Sequence, residues 1–170
     1  MSPPENAFEA TLRTLTDWIE VSSGAPIQVR DGEELAFRSD GAASGEALRT
    51  AAAVDGHYSK LMEAVGSCLL FYGGAEGRGG VEIYSANEVP ELYSDFFGNE
   101  SMDGFYPIGA NLDTLEIYAY DTTRIEPNFS PFWHDSNPED WRDTADELGS
   151  WTTLPDYLGQ LVSNLGMIVV

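Results

Sequence analysis

The sequence predicts an α+β fold, a single domain in which a mainly antiparallel twisted sheet packs against N-terminal and C-terminal helices. Three observations predict it. Apolar residues recur at helical spacing early in the chain, at Phe8, Leu12, Leu15 and Ile19, and again late, at Leu154, Tyr157, Leu158, Leu161, Val162 and Leu165. Between them lie short β-branched and aromatic runs, of which Ile117-Tyr118-Ala119-Tyr120 is the strongest. No internal repeat and no long linker interrupts the 170 residues, a length that suits one domain with a sizeable core.

The elements follow in order. Ser2-Pro3-Pro4-Glu5 starts the first helix: serine caps, proline suits the first turn, and Glu5 stands where a capping box places it. Val21 to Gly24 ends that helix. Residues 27–30 and 33–38 read as a β-hairpin around Asp31-Gly32, the dipeptide of a two-residue type I′ turn. Ser39 to Ser44 is a small polar loop, and the alanine-rich stretch Glu46 to Ala53 a short helix. After Asp55-Gly56, helical spacing returns at Tyr58, Leu61, Met62 and Val65, and this helix leads to Leu69–Tyr72. Val81 to Tyr84 is a strand. Asn87 to Phe97 is helical, with Pro90 in its first turn. Phe105–Ile108 and Leu115–Tyr120 are strands, and Phe129–Trp133, interrupted by Pro131, suits a sheet edge. The C-terminal apolar stripe needs a sheet or helix to cover it.

Five glycines fall between Gly73 and Gly80. Gly74 and Gly79 have the separation found in a phosphate-binding loop, but Gly80 occupies the lysine position and Val81-Glu82-Ile83-Tyr84 follows. A phosphate cradle draws on the amides and dipole of a helix N-terminus. These glycines enter a strand, so they read as a hinge in which positive φ and close backbone approach are available.

Charge is the most unusual property. Eight basic residues stand against 29 acidic ones, a formal charge of −21. It is uneven: residues 86–170 hold 16 acidic and 2 basic side chains, against 13 and 6 in the first 85. This balance disfavours nucleic acids and anionic membranes and favours a basic partner. Cys68 is the one cysteine, so no intrachain disulfide forms, and its apolar neighbours suit a core residue. The opening MSPPENAFEA has neither the basic nor the apolar region of a secretory signal, so a soluble cytoplasmic protein is expected.

The chemical motifs are few. His57 and His134 are the two histidines, and neither has a neighbour at metal-ligand spacing in the sequence. His134 beside Asp135 has the makings of an acid–base pair, but a surface histidine near an acid is usually no more than that. Asp135, Asn137 and Glu139 fit the first positions of a calcium loop, but Asp140 replaces its glycine and Asp146 its final glutamate. No catalytic residue, metal or cofactor is assigned. Trp133 precedes the acid-rich stretch DSNPEDWRDTADE and Trp141 lies within it. Tryptophan among acids suits an interface for a basic protein. Each ring also has the option of packing on the sheet or the last helix.

The order of the motifs resembles the SUKH superfamily, which includes yeast cell-wall-assembly-regulator-like proteins and bacterial immunity proteins. The similarity runs over residues 55–165 and rests on a Leu-rich helix end with Gly73-Gly74, then Ile83-Tyr84-Ser85 with Glu88. It continues through a Pro107-Ile108-Gly109 turn, Asp121 at a strand end, and Trp151 to Leu161. VDGHYSKLMEAV stands in place of the family's Leu-Pro-x-x-Tyr helix opening, and the hairpin within residues 1–54 has no family counterpart. The resemblance implies a non-enzymatic binding role, with bacterial members neutralising toxins, often nucleases. Nucleases are commonly basic, as the charge argument independently requires of a partner. The expectation is therefore an acidic immunity protein that binds a basic toxin. Its partner surface is drawn from Glu100, Asp103, Trp133, Asp135, Glu139, Asp140, Trp141 and Asp143. The alternatives are a DNA mimic of viral origin that inhibits a nucleic-acid-binding enzyme, and an enzyme using His134.

Overall fold

The N-terminal apolar stripe forms the expected helix, α1 (Pro3–Ser22), with Phe8, Leu12 and Leu15 buried on one face. The computed structural model describes residues 3–30, 32–39, 43–66, 68–73, 80–89, 103–133 and 138–169. After α1 come β1 (Ile27–Gln28), β2 (Glu34–Ala36), α2 (Gly45–Val54), α3 (Gly56–Val65), β3 (Cys68–Gly73) and β4 (Val81–Ile83). The remaining described elements are β5 (Phe105–Asn111), β6 (Glu116–Asp121), β7 (Phe129–Trp133), α4 (Pro138–Leu148) and α5 (Leu154–Ile168). The fold is α+β. Its strands pair in chain order, β1 to β7, each antiparallel to the next.

Local chemistry sets the boundaries. Ser44 caps α2 by accepting from Ala47 N at 3.1 Å, and Thr153 caps α5 by accepting from Asp156 N at 3.2 Å. Asp55 closes one helix and opens the next. Its amide donates to Ala51 O at 2.9 Å and its carboxylate accepts from His57 N at 3.3 Å. Gly66 (φ 77°) stops α3 at a conformation that suits glycine. The Leu-rich run that follows is therefore strand β3 and not the end of a helix, a correction to the sequence reading. Its apolar and aromatic composition suits a strand, and positive φ at Gly66 prevents the helix from continuing.

Two further expectations change in detail. The register Ile27↔Leu35 and Gln28↔Glu34, with Val29 N donating to Glu33 O, leaves three residues in the hairpin loop, not two. Gly32 donates to Val29 O and has φ 82°, a left-handed conformation that suits glycine. Pro107-Ile108-Gly109 is not a turn but the interior of β5, at a shift in register against β6. β7 is an edge strand as expected, and Pro131 is tolerated there. Gly80 (φ 102°) leads directly into β4 as the strand reading requires; residues 74–79 lie outside the described residues. So does most of the helix expected over Asn87–Phe97.

The core is built on both faces of the sheet. On one face Ile83, Ile108, Tyr118, Tyr120 and Phe129 meet Leu15, Tyr58, Leu61, Met62, Leu154 and Leu158 from α1, α3 and α5. On the other, Phe105, Ile117, Ala119 and Phe132 meet Trp141 of α4. Alternation along β6 sends Ile117 and Ala119 one way and Tyr118 and Tyr120 the other. Covering both faces makes the whole run Ile117–Asp121 buried. A smaller cluster of Ile27, Val29, Leu35, Phe37 and Leu165 joins the hairpin to α5, and a bridge between Val29 and Val169 fastens the two.

One glycine is held by the close approach of β4. A Cβ on Gly109 would overlap the Glu82 carbonyl oxygen and lie 2.8 Å from Ile83 Cδ1. The carbonyl belongs to a paired strand and has little room to retreat. Gly109→Ala is expected to lower unfolding free energy by about 2–3 kcal/mol, measured by urea denaturation.

Candidate functional site

The acid-rich stretch is helical from Pro138, which excludes a calcium-loop conformation for residues 138–146. Two side chains of α4 dock it to the sheet. Trp141 has 0% exposure and meets Phe105 edge-to-face at 4.9 Å and Trp151 at 5.1 Å. Arg142 reaches the end of β6, where its Nε donates to Asp121 Oδ2 at 2.7 Å and its Nη2 to Asp121 Oδ1 at 2.9 Å. Arg142 Nη2 also donates to the Asp103 carbonyl oxygen. Thr123 completes the knot, its hydroxyl donating to Asp121 Oδ1 at 2.6 Å. Gly104 (φ 81°) passes so close that a Cβ there would lie 2.8 Å from Arg142 Nη2.

Asp121 is 3% exposed. Burial alone would raise its carboxyl pKa, but hydrogen bonds from Arg142 and Thr123, together with the Arg142 charge, outweigh burial and hold it below the ordinary value. A depressed carboxylate adds stability above its unfolded value of about 4 and loses it as pH falls through the lower folded value.

The outer side of α4 is anionic. Asp140, Asp143, Asp146 and Glu147 are all exposed. Of the two basic residues in 86–170, Arg142 is committed to Asp121. The other, Arg124, has its Nε donating to Pro127 O at 2.8 Å, pairs with Asp146 at 3.3 Å, and lies over the Trp151 ring at 4.2 Å. Asp140, Asp143 and Glu147 have no basic partner among the described residues.

The partner surface read from sequence is thus drawn together only in part. Asp140 and Asp143 share the exposed side of α4, and Asp103, exposed, lies beside that helix through the contact of its carbonyl with Arg142. Trp141 is a correction: its ring fills the core beneath α4 and is not on the surface. Its spacing of four from Ala145, which is also buried, is the helical signal that distinguishes the two roles. Glu100, His134 and Asp135 lie outside the described residues, as do the side chains of Trp133 and Glu139.

A second group of chemical side chains was not found from sequence. Asp55 and His57, at the junction of α2 and α3, meet Glu126 from the β6–β7 loop. His57 Nδ1 is 3.5 Å from Asp55 Oδ1 and 3.3 Å from Glu126 Oε1. The imidazole is braced edge-on against Phe8 at 5.3 Å. Burial, then the neighbouring Asp55 carboxylate, raises the pKa of the Tyr120 phenol well above its ordinary value, so this hydroxyl keeps its proton. His57 and Glu126 also line a cavity of about 500 Å³ with Phe8, Thr11, Pro155 and Gly159, between α1 and α5. Asp55 and His57 are close in sequence, but only the folded sheet brings Glu126 to them.

Comparison with known proteins returned no matching family model, no matching curated protein and no matching solved structure. Among the described residues no helix is long and apolar enough to cross a membrane.

Removing one partner of the Asp121–Arg142 pair strands the other among its hydrogen-bonding neighbours. Arg142→Ala and Asp121→Asn are each expected to cost roughly 2–4 kcal/mol at neutral pH. Denaturant titrations at a series of pH values should show Asp121→Asn losing less further stability than the parent as acidity rises below about pH 4.

Proposed function

We propose that the chain is an acidic binding module that captures a basic protein, acting as an immunity protein that occludes a cationic toxin such as a nuclease domain. The observation that carries this reading is the uncompensated outer side of α4. Its one arginine is turned inward onto Asp121, and the nearby Arg124 is engaged by Asp146 and Trp151, which leaves Asp140, Asp143 and Glu147 exposed without a cationic partner among the described residues. A net charge of −21 spreads an attractive field well beyond that helix. The resemblance to the SUKH superfamily supports the same role on separate grounds, and cytoplasmic localisation is part of the proposal.

Such a surface acts on association more than on dissociation. Opposite charges accelerate encounter, and salt screens them over a Debye length of about 8 Å at physiological ionic strength. The partner is sought by affinity capture from the native host, followed by stopped-flow kinetics with the purified protein. Its association rate is expected to fall at least about tenfold as salt rises from roughly 0.05 to 0.5 M. Asp140→Lys with Asp143→Lys should slow association several-fold and leave dissociation nearly unchanged. A rate indifferent to salt rejects the electrostatic reading. Competition with duplex DNA for the same basic protein would select the DNA-mimic alternative instead.

A further inference from the structure

We propose that Asp55, His57 and Glu126 form a binding site for a divalent transition-metal ion of the Zn²⁺ class. The three side chains offer one nitrogen and two carboxylates, with candidate ligand atoms all within 4.8 Å of one another. A tetrahedral Zn²⁺ with bonds of about 2.0–2.1 Å spaces its ligand atoms about 3.3–3.4 Å apart. His57 Nδ1 lies 3.3 Å from Glu126 Oε1 and 3.5 Å from Asp55 Oδ1, close to that edge length. An imidazole nitrogen selects zinc-like ions over magnesium or calcium, which prefer an all-oxygen shell.

The hydrogen bonding around the cluster is incomplete, which separates it from an ordinary acidic surface. His57 Nδ1 faces two carboxylates yet makes a well-formed hydrogen bond with neither, and it is buried. Asp55 Oδ2 is buried with no partner among the described residues. The Tyr120 hydroxyl, at 0% residue exposure, lies beside the Asp55 carboxylate, which is the group placed to accept its proton, yet the two make no well-formed hydrogen bond. Polar atoms left this incompletely satisfied in one place are costly unless something completes their bonding. No lysine or arginine pairs with either carboxylate among the described residues. A dication would balance both charges and take the free imidazole lone pair. Tyr120 would then stand behind Asp55 as an outer-shell donor. Three protein ligands leave a fourth position, and the cavity lined by His57 and Glu126 admits water or a ligand oxygen to it.

The site is tested with the purified full chain, stripped with chelator and titrated with Zn²⁺ by calorimetry, and with Co²⁺ by visible absorption. One saturable Zn²⁺ per chain, and the intense d–d bands of tetrahedral Co²⁺, are expected. Glu126→Gln and His57→Ala should each weaken that binding more than about tenfold. Glu126 is half-exposed, so its replacement is suited to leaving the fold intact, which circular dichroism checks. Asp143→Asn on the outer side of α4 should leave the stoichiometric event unchanged. Weak, non-saturating uptake that Asp143→Asn reduces as much as Glu126→Gln would assign the metal to the general acidic surface and overturn the proposal. So would an absence of heat and of Co²⁺ colour in the parent chain.

Discussion

The fork between Arg142 and Asp121 is the contact on which the acidic face depends. A helix as acidic as α4 has little reason to persist alone. Asp143 and Glu147 repel one another at a spacing of four, and Asp146 and Glu147 sit in the last turn, where the helix dipole disfavours anions. Eleven residues are also too few for a stable isolated helix. Tertiary docking has to supply the difference, through Trp141 in the aromatic pocket and Arg142 on the sheet end. The same arginine that fixes the helix is thereby withheld from its surface. One interaction both stabilises the element and leaves its outer charge uncancelled.

Much of the fold was legible because it rests on periodicity; the cap read at Ser2 lies outside the described residues. The stripes of α1 and α5 gave their positions and their buried faces directly. Asp55 before α3 and Thr153 before α5 each accept from a first-turn amide, a signal present in the sequence and not singled out there. The failures are equally physical. Nothing in the apolar run after Gly66 distinguishes the end of a helix from a strand until the positive φ of that glycine is known. Asp-Gly specifies a tight turn but not its length, which the register of the flanking strands decides. In β6 the alternation that would mark a one-sided strand is missing because α4 covers the second face.

The site was legible in charge and not in arrangement. Net charge and its skew toward the second half follow from counting, but which acids stand together does not. Asp140 and Asp143 share an exposed side because Trp141 and Ala145 occupy the opposite one. The His57 cluster shows the limit more sharply. Asp55 stands at a break between two helical segments and Glu126 beside a proline, and neither position announces the other. Their meeting depends on the β6–β7 loop returning over the start of α3, a tertiary fact without local signature.

The steeply inclined indole pair of Trp141 and Trp151 gives the molecule a built-in optical reporter. Two strongly absorbing rings 5.1 Å apart, held at 66°, couple their electronic transitions. One of them, Trp141, is fully buried under α4, where emission shifts toward the blue. Lifting that helix would relax the coupling and redden the emission together, so undocking can be followed by light alone, without a label and without a partner in the cuvette.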